Sequence, residues 1–292
     1  MITITQESKS KIIKELQTLR NHHAGADRSF ATKLGINPVQ YSRIMAGNFM
    51  GVLSDAQWSS LARQTNISLN GKEKWKTAMT PVFSDITKQL KRAQDNGISF
   101  IIVDDADVGK THAAREYAAA NKYAVYVDCS LSKKKRELVS AIAKGFGTHY
   151  EGRHQDVLAD LLFHIKNHTI NPIVMLDEAG DLDAAARLEL KALWNGTEDA
   201  CAWVQIGADG LMEVVRKGIE GRRVGFTETF SRYGKKYQSY TPLAEKDKTK
   251  FNFMQAAMII KANAPEGADI QKILVRTKGS LRRVKTELCK LT

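Results

Sequence analysis

Two short polar stretches, each following an apolar run, bring together glycine, lysine, hydroxyl and carboxylate groups. The first is Asp104-Asp105-Ala106-Asp107-Val108-Gly109-Lys110-Thr111-His112, which follows the largely apolar run 98–103. A Gly-Lys-Thr that opens a helix can present backbone N–H groups to phosphates, because the first N–H groups of a helix have no partner inside it. Lys110 adds a positive charge, and the Thr111 hydroxyl can ligate Mg²⁺. The stretch predicts a phosphate-binding loop.

This loop departs from the usual pattern at two positions. Asp104 stands where the pattern has glycine, and Asp107 stands where glycine is common. Glycine lets the backbone approach a phosphate and reach torsions that are closed to other residues. Carboxylates beside a triphosphate also raise the electrostatic cost of binding it. We therefore expect nucleotide binding with reduced affinity or slow turnover.

The second stretch is the end of the apolar run 173–176, which leads directly into Asp177 and Glu178. In nucleotide hydrolases of this kind the aspartate holds Mg²⁺ and the glutamate polarises the attacking water. Alone, it is equally compatible with a core strand that ends in solvated acids. The order and spacing of both stretches predict an NTP-binding fold, with Asp177 and Thr111 as metal ligands and Glu178 and Lys110 as catalytic residues.

Composition narrows the class of protein. The chain has 292 residues, of which 43% are hydrophobic and 26% charged, as in ordinary globular proteins. No apolar run approaches the roughly 20 residues of a membrane span, and the start lacks the pattern of a secretory signal. The cysteines are three and far apart: Cys129, Cys201 and Cys289. We expect a cytoplasmic protein with no membrane partner, no disulfide framework and no zinc site.

The chain is strongly basic, with a formal net charge of +12 and a pI near 9.5. Residues 1–80 hold eleven Lys and Arg against five Asp and Glu. Such a balance favours polyanionic partners. Since no basic amphipathic membrane anchor is evident, nucleic acid is the expected partner.

Hydrophobic periodicity divides the chain into four segments. Short helices fill residues 1–68, and a polar stretch makes 69–80 a linker. Residues 81–242 alternate helices with apolar runs, which predict strands at 99–103, 124–128, 173–177, 202–207 and 237–241. Continuous apolar strands between helices indicate an α/β fold, with a parallel five-stranded sheet covered on both faces. Residues 243–292 are helical again and form a predicted lid.

Residues 27–47 have the pattern of a helix-turn-helix. Gly35 suits the left-handed turn, while Asn37 caps and Pro38 begins the second helix. The positions that must face inward are apolar: Phe30, Leu34, Ile36, Tyr41 and Ile44. The outward positions carry side chains able to read a DNA groove: Gln40, Ser42 and Arg43. The alternative is an ordinary helical bundle with solvated basic residues.

Three further basic features are candidates for phosphate contacts. Arg232 precedes the fifth predicted strand, where an arginine can reach the γ-phosphate of a neighbouring subunit; Arg222 and Arg223 compete for that role. Arg282 opens the last helix and would reach the phosphates from the lid. A basic run opens another helix, where it opposes the helix dipole. DNA phosphates are its hypothesised partner, and the alternative is a solvated basic face: Lys133, Lys134, Lys135 and Arg136.

Taken together, these motifs resemble those of AAA+ ATPases, and more narrowly those of the phage Mu B transposition protein and related transposon target-selection ATPases. The resemblance covers the whole chain. Six of the eight loop positions fit that family's Gly-Asp/Glu-Ala-Gly-Val-Gly-Lys-Thr pattern, and Asp104 and Asp107 do not. The motifs that carry it are the loop, the strand that ends in Asp177, Arg232 and the Gly279–Arg282 lid motif.

The resemblance implies a protein that binds ATP and Mg²⁺ in a bacterial or phage-infected cell. It implies homo-oligomerisation as a helical filament or ring on double-stranded DNA, with little sequence preference. It also implies delivery of that DNA to a transposase and ATP hydrolysis that drives disassembly. Two alternatives remain at this point: a helicase-loader ATPase, and a DNA-binding regulator with a degenerate nucleotide site.

Overall fold

The N-terminal part of the chain folds as four short helices. The computed structural model describes residues 4–65, 67, 69 and 75–291. Residues 70–74 of the predicted linker therefore lie outside the described residues. The helices are α1 (Gln6–Asn21), α2 (Asp27–Leu34), α3 (Pro38–Met45) and α4 (Asp55–Gln64).

Local sequence explains where α2 ends and α3 begins. Gly35 adopts the left-handed conformation (φ 73°) that ends α2. The Asn37 side chain accepts a hydrogen bond from the Val39 N–H, and Pro38 is the first residue of α3. Every position predicted to face inward is buried, together with side chains of α1 and α4: Ile12, Leu16, Phe30, Leu34, Ile36, Tyr41, Ile44, Trp58 and Leu61. The predicted packing of this segment is confirmed.

Five parallel strands form the predicted sheet, in the order β2-β3-β4-β1-β5. They are β1 (Phe100–Val103), β2 (Ala124–Asp128), β3 (Ile173–Asp177), β4 (Ala202–Gly207) and β5 (Tyr237–Gln238). The last strand is shorter than predicted. The N–H groups of Tyr240 and Thr241 donate to the Asp104 carboxylate, so they do not extend the ladder with β1.

Helices cover both faces of the sheet, as the apolar strands predicted. One face packs on α5 (Pro81–Asn96) and α6 (Lys110–Ala120). Helices on the other face include α7 (Lys135–Phe146), α8 (His154–His168), α9 (Ala184–Gly196) and α10 (Asp209–Glu220), with α11 (Phe226–Arg232) beside them. Adjacent strand residues enter opposite cores, as the two-residue period of a strand requires: Ile102 packs with α5 and α6, and Ile101 packs with α7–α10.

The predicted lid consists of α12 (Glu245–Asn263), α13 (Ile270–Thr277) and α14 (Leu281–Leu288). Trp75 packs against its small core. Asn263 binds the backbone of Lys76 twice, accepting from its N–H at 2.7 Å and donating to its carbonyl at 2.9 Å. The described end of the predicted linker, residues 75–80, is thus docked on the lid.

Among the described residues, no helix has both the length and the apolar composition that crossing a membrane requires. The three cysteines are free thiols; Cys129 and Cys201 are buried and Cys289 is exposed.

Candidate functional site

The predicted phosphate loop connects β1 to α6, and its lysine is held in place by the loop itself. Gly109 caps α6 with φ 103°, a conformation that favours glycine, and a side chain there would point into open space. Lys110 is the first residue of α6. Its Nζ donates to the carbonyl oxygens of Asp104 at 2.8 Å and Asp105 at 2.6 Å. The ammonium is therefore positioned at the loop before any phosphate arrives.

The loop faces a cavity of about 460 Å³, and small-molecule sites are typically about 300–1,000 Å³. Loop residues 106–111, His112 and Arg115 line one side of it. The other walls come from the segment before α5, from α5, from the ends of β3 and β4, and from the lid: Trp75, Ala78, Thr80, Phe83, Glu178, Gly207, Ala208, Ile259, Leu281, Arg282 and Lys285. Lys110, Glu178 and Arg282, predicted from separate motifs, thus line one cavity.

Asp177 ends β3 with its carboxylate in a defined orientation. The side chain is 2% exposed. Its Oδ2 accepts from the Tyr126 hydroxyl at 2.8 Å, and its Oδ1 accepts from the Glu178 N–H at 3.1 Å. The Arg115 guanidinium lies 5.0 Å from the centre of the Tyr126 ring. Tyr126, which sequence reasoning missed, therefore orients the predicted metal ligand.

The residues at this site fit a magnesium ion. A carboxylate and a hydroxyl, here from Asp177 and Thr111, are oxygen donors of the kind that Mg²⁺ prefers. No ion pair in the described part of the chain engages Asp177, and no cluster of three or more His, Cys, Asp or Glu there could hold a metal by itself. Asp177 and Thr111 would therefore supply only part of the coordination of such an ion.

Glu178 has a strained backbone and a perturbed carboxyl group. It adopts the left-handed conformation (φ 50°, ψ 40°), which is uncommon outside glycine and is often found at functional sites. Burial, followed by the nearby charges of Asp177 and Asp181, raises the pKa of Glu178. Arg187 holds the following turn by donating to the Ala179 carbonyl at 2.8 Å. A carboxylate with a raised pKa is a better proton acceptor.

The Asp104 side chain, at the position where glycine was expected, turns away from the cavity. It is 4% exposed. Its Oδ2 accepts from the N–H groups of Tyr240 at 2.6 Å and Thr241 at 3.1 Å, and its Oδ1 accepts from the Asp105 N–H at 2.8 Å. The carboxylate therefore fixes the chain between β5 and the lid.

The other two acidic side chains of the loop bind the lid directly. Asp105 forms an ion pair with Lys248 of α12 at 2.7 Å. Asp107 accepts from the Ser280 hydroxyl at 2.7 Å and from the Arg282 N–H at 2.9 Å, so it caps the start of α14. Asp107 is also left-handed (φ 66°), a conformation that aspartate tolerates better than most residues.

We call Asp104, Asp105 and Asp107 the loop tethers, since each links the phosphate loop to the lid or to the segment that leads into it. Their carboxylates are engaged by N–H, hydroxyl and ammonium donors, which offset part of their negative charge. The departures from the usual loop pattern thus have a structural role that the sequence did not reveal.

Replacing Asp107 with glycine is expected to loosen the lid. Glycine keeps the left-handed backbone without strain and removes both bonds to α14. Loss of a helix cap costs about 0.5–2 kcal/mol, so exchange of the first amides of α14 should be about 2- to 30-fold faster by hydrogen–deuterium exchange. Asp199→Gly, at an exposed left-handed aspartate (φ 60°), is the matched control. Unchanged exchange in Asp107→Gly would contradict the tether.

His112 and Arg282 both lie at the cavity but differ in exposure. The His112 Nε2 is 3.1 Å from the Thr77 hydroxyl, and burial lowers the pKa of the imidazole. The Arg282 side chain is 81% exposed, with its Nε 3.9 Å from the Asp107 carboxylate. Arg282 is thus free to move toward a phosphate.

The predicted trans-acting arginine lies away from this cavity. Arg232 is the last residue of α11, and its Nη1 is buried without a hydrogen-bond partner among the described residues. Its competitors Arg222 and Arg223 are exposed in the loop between α10 and α11. None of the three lines the nucleotide cavity.

The predicted DNA-contacting residues of α3 differ from one another. Ser42 and Arg43 are exposed. The Gln40 amide instead donates to the Val52 carbonyl at 2.9 Å, and its Oε1 accepts from the Asn37 N–H at 3.3 Å. Gln40 is therefore engaged inside the helical domain.

The basic run at the start of α7 is exposed along its length. Lys133 pairs with Asp181 at 3.0 Å, and its carbonyl accepts from the Asp183 N–H at 3.0 Å. Arg136 donates to the Gly152 carbonyl at 2.9 Å. Lys134 and Lys135 form no ion pair within the described residues. The run thus joins the turn that follows Glu178.

A parallel sheet with helices on both faces, a strand–loop–helix that presents Lys110, and a strand that ends in Asp177 and Glu178 define an α/β P-loop module. Residues 106–215 match the family model described as an AAA domain. This match extends from the phosphate loop through β4 into α10, and it indicates an AAA-type P-loop ATPase domain. No curated protein sequence matches the chain.

Proposed function

We propose that the chain is an ATP-dependent DNA-binding ATPase that assembles on duplex DNA and presents it to a transposase. The observation that carries the proposal is the convergence of Lys110, Glu178 and Arg282 on one cavity of about 460 Å³. The basic charge of the chain and the exposed run 133–136 support the DNA partner. The transposase is proposed as a partner because the chain resembles transposon target-selection ATPases.

In this proposal ATP binds with its phosphates at the start of α6. The free N–H groups of that helix and the Lys110 ammonium bind phosphate oxygens. Thr111 and Asp177 would hold Mg²⁺, which would supply positive charge beside the phosphates. Arg282 approaches the γ-phosphate from the lid, and Arg232 of a neighbouring subunit completes the site, so that nucleotide binding favours assembly.

Glu178 accepts the proton of the attacking water. The water oxygen forms a bond to the γ-phosphorus, and the bond from that phosphorus to the bridging oxygen of the β-phosphate breaks. The products are ADP and inorganic phosphate, and loss of the γ-phosphate removes the contacts that hold neighbouring subunits together. Hydrolysis therefore releases the assembly from DNA.

DNA binding in this proposal uses many weak phosphate contacts along an oligomer, which sum to tight and salt-sensitive binding. Ser42 and Arg43 of α3 and the run 133–136 are the proposed contacts. Gln40 contributes to the fold of the helical domain, because its amide is already bonded. We place the protein in the cytoplasm, in keeping with its free thiols.

Electron microscopy with ATP, Mg²⁺ and duplex DNA tests the proposal. Regular filaments or rings on DNA that form with ATP and disperse as it is hydrolysed are the expected result. Free DNA under all nucleotide conditions would contradict it. DNA binding that ignores ATP would favour a regulator with an inactive nucleotide site, and capture of a replicative helicase in place of a transposase would favour a helicase loader.

Neutralising the exposed lysines of the basic run should flatten the salt dependence of DNA binding. In Lys134→Gln/Lys135→Gln the slope of log K against log salt should fall in magnitude by about 2, since each phosphate contact contributes about 0.9. Fluorescence anisotropy over a salt series measures it. Lys235→Gln/Lys236→Gln, which removes the same charge from exposed positions elsewhere, should leave the slope unchanged. Equal slopes of log K against log salt in wild type and in Lys134→Gln/Lys135→Gln would show that these lysines do not contact DNA.

A further inference from the structure

A group of basic side chains surrounds a second cavity, between the N-terminal helices and the start of β2. Two adjoining spaces of about 40 and 180 Å³ share His22, His23 and Lys33 in their walls. His164 and His168 of α8 close the smaller space. Because the nucleotide cavity lies at the carboxyl ends of the strands, this cavity is separate from it.

The walls of this second cavity carry no acidic side chain. Lys33 forms no hydrogen bond or ion pair within the described part of the chain, and burial lowers the pKa of its ammonium. The guanidinium of Arg20, whose charge acts on His23, already pairs with Asp27 at 2.6 Å. A partly buried ammonium without a counter-ion is costly, so an anion in this cavity would stabilise the charged form of Lys33.

The histidines face the same cavity and repel one another when charged. The rings of His164 and His168 stack with centroids 5.6 Å apart. The His23 Nε2 is 2.7 Å from the Ser29 hydroxyl. Burial, followed by the charges of Lys33, Arg20 and His164, lowers the pKa of His23 to about 4. Asp27 pairs with Arg20 and does not line the cavity, and no carboxylate among the described residues does.

We propose that this cavity binds a phosphate group, either as a free ion or as part of a nucleic-acid backbone. Lys33, His22 and His23 line both spaces and can donate hydrogen bonds, which suits a tetrahedral oxyanion with two negative charges, while His164 and His168 lie across the adjoining smaller space. The larger space, of about 180 Å³, admits such a group. A phosphate here would lie between Lys33 of α2 and the start of β2, and would thereby hold the helical domain against the sheet.

Binding of the anion is coupled to protonation. A negative charge in the cavity favours the charged forms of Lys33, His23 and His164, and so raises the pKa of each. By linkage, protonation strengthens anion binding, and affinity rises as the pH falls. His22 and His168 also line the smaller space. Sulfate, whose charge is constant from pH 8 to pH 6, is the probe for this dependence.

Titration of the full chain with inorganic phosphate, followed by NMR of the histidine ring protons, tests the site. Saturable shifts of His23 and His164 are expected, while His112 reports separately on phosphate in the nucleotide cavity. Lys33→Met should weaken the response of His23 and His164 at least about tenfold, since it removes a charged hydrogen bond. Lys166→Met, an exposed lysine of α8, is the control and should not change it.

Several outcomes would overturn the proposal: no saturable shift, an unchanged affinity in Lys33→Met, or sulfate affinity that does not rise on acidification. Should Lys33→Met fail to fold, His164→Gln carries the same expectation of weaker binding. Duplex DNA added in a parallel titration distinguishes the sources. If DNA displaces inorganic phosphate from these histidines, the ligand is a backbone phosphate; if it does not, the ligand is the free ion.

Discussion

Replacing Lys110 with alanine is expected to abolish ATP-dependent assembly on DNA. The ammonium lies at the loop, bonded to the Asp104 and Asp105 carbonyls, where it can exchange those bonds for phosphate oxygens. A hydrogen bond to a charged group contributes about 1.5–3 kcal/mol, so ATP affinity should fall by about 10- to 150-fold. Calorimetry with ATP and Mg²⁺ measures the affinity, and electron microscopy measures assembly.

A matched control separates loss of binding from loss of fold. Lys122→Ala removes an exposed lysine beyond the other end of α6 and should bind ATP as wild type does. Thermal unfolding of Lys110→Ala shows whether the loop bonds also stabilise the domain. Undiminished filaments in a folded Lys110→Ala protein would separate assembly from the nucleotide and refute the proposed coupling.

Replacing Glu178 with glutamine is expected to trap the ATP-bound assembly on DNA. Glutamine has the same shape but cannot accept a proton at the pH of the reaction. Loss of a general base typically costs about 10²–10⁴-fold in rate, while ATP affinity should be retained because the Lys110 contacts are intact. Phosphate release measures the rate. Glu198→Gln, at an exposed glutamate just after α9, should hydrolyse ATP normally.

The pH dependence of hydrolysis gives a second readout of Glu178. The base must be ionised to accept a proton, and its pKa is raised by burial and by Asp177 and Asp181. Hydrolysis by the wild type should therefore decline on acidification at a higher pH than an ordinary carboxyl group would cause. That decline should be absent from the residual rate of Glu178→Gln. If the Glu178→Gln assembly dissociates from DNA as quickly as the wild-type assembly, Glu178 is not the general base.

The sheet and the placement of the site could be predicted because they depend on local signals. Apolar runs between helical segments indicate buried parallel strands, and the residues that follow two such runs lie at the same edge of the sheet. Lys110 and Glu178 were expected near one another on that basis, and both line the cavity. The turn at Gly35 and the helix cap at Asn37 could likewise be predicted from the sequence, because each involves residues that are neighbours in the chain.

The roles of the loop acids could not be predicted, because their partners are remote in sequence. Asp104 binds residues 136 and 137 positions further on, and Asp107 binds residues 173 and 175 positions further on. The hydrophobic periodicity of helices and strands relates only residues a few positions apart, so it cannot predict these contacts. The hydrogen bonds of Gln40 illustrate the same limit, since the pattern placed its side chain outward and the fold supplied the Val52 carbonyl as a partner.

The position of Lys133 has a structural consequence. Its side chain forms an ion pair with Asp181, three residues beyond Glu178. Its carbonyl accepts a hydrogen bond from the N–H of Asp183, five residues beyond Glu178. Under the proposed function, a DNA phosphate bound by the lysines that follow would therefore lie one short linkage away from the turn that begins at Glu178. The surface that would bind DNA and the residue that would accept the proton are joined through Lys133.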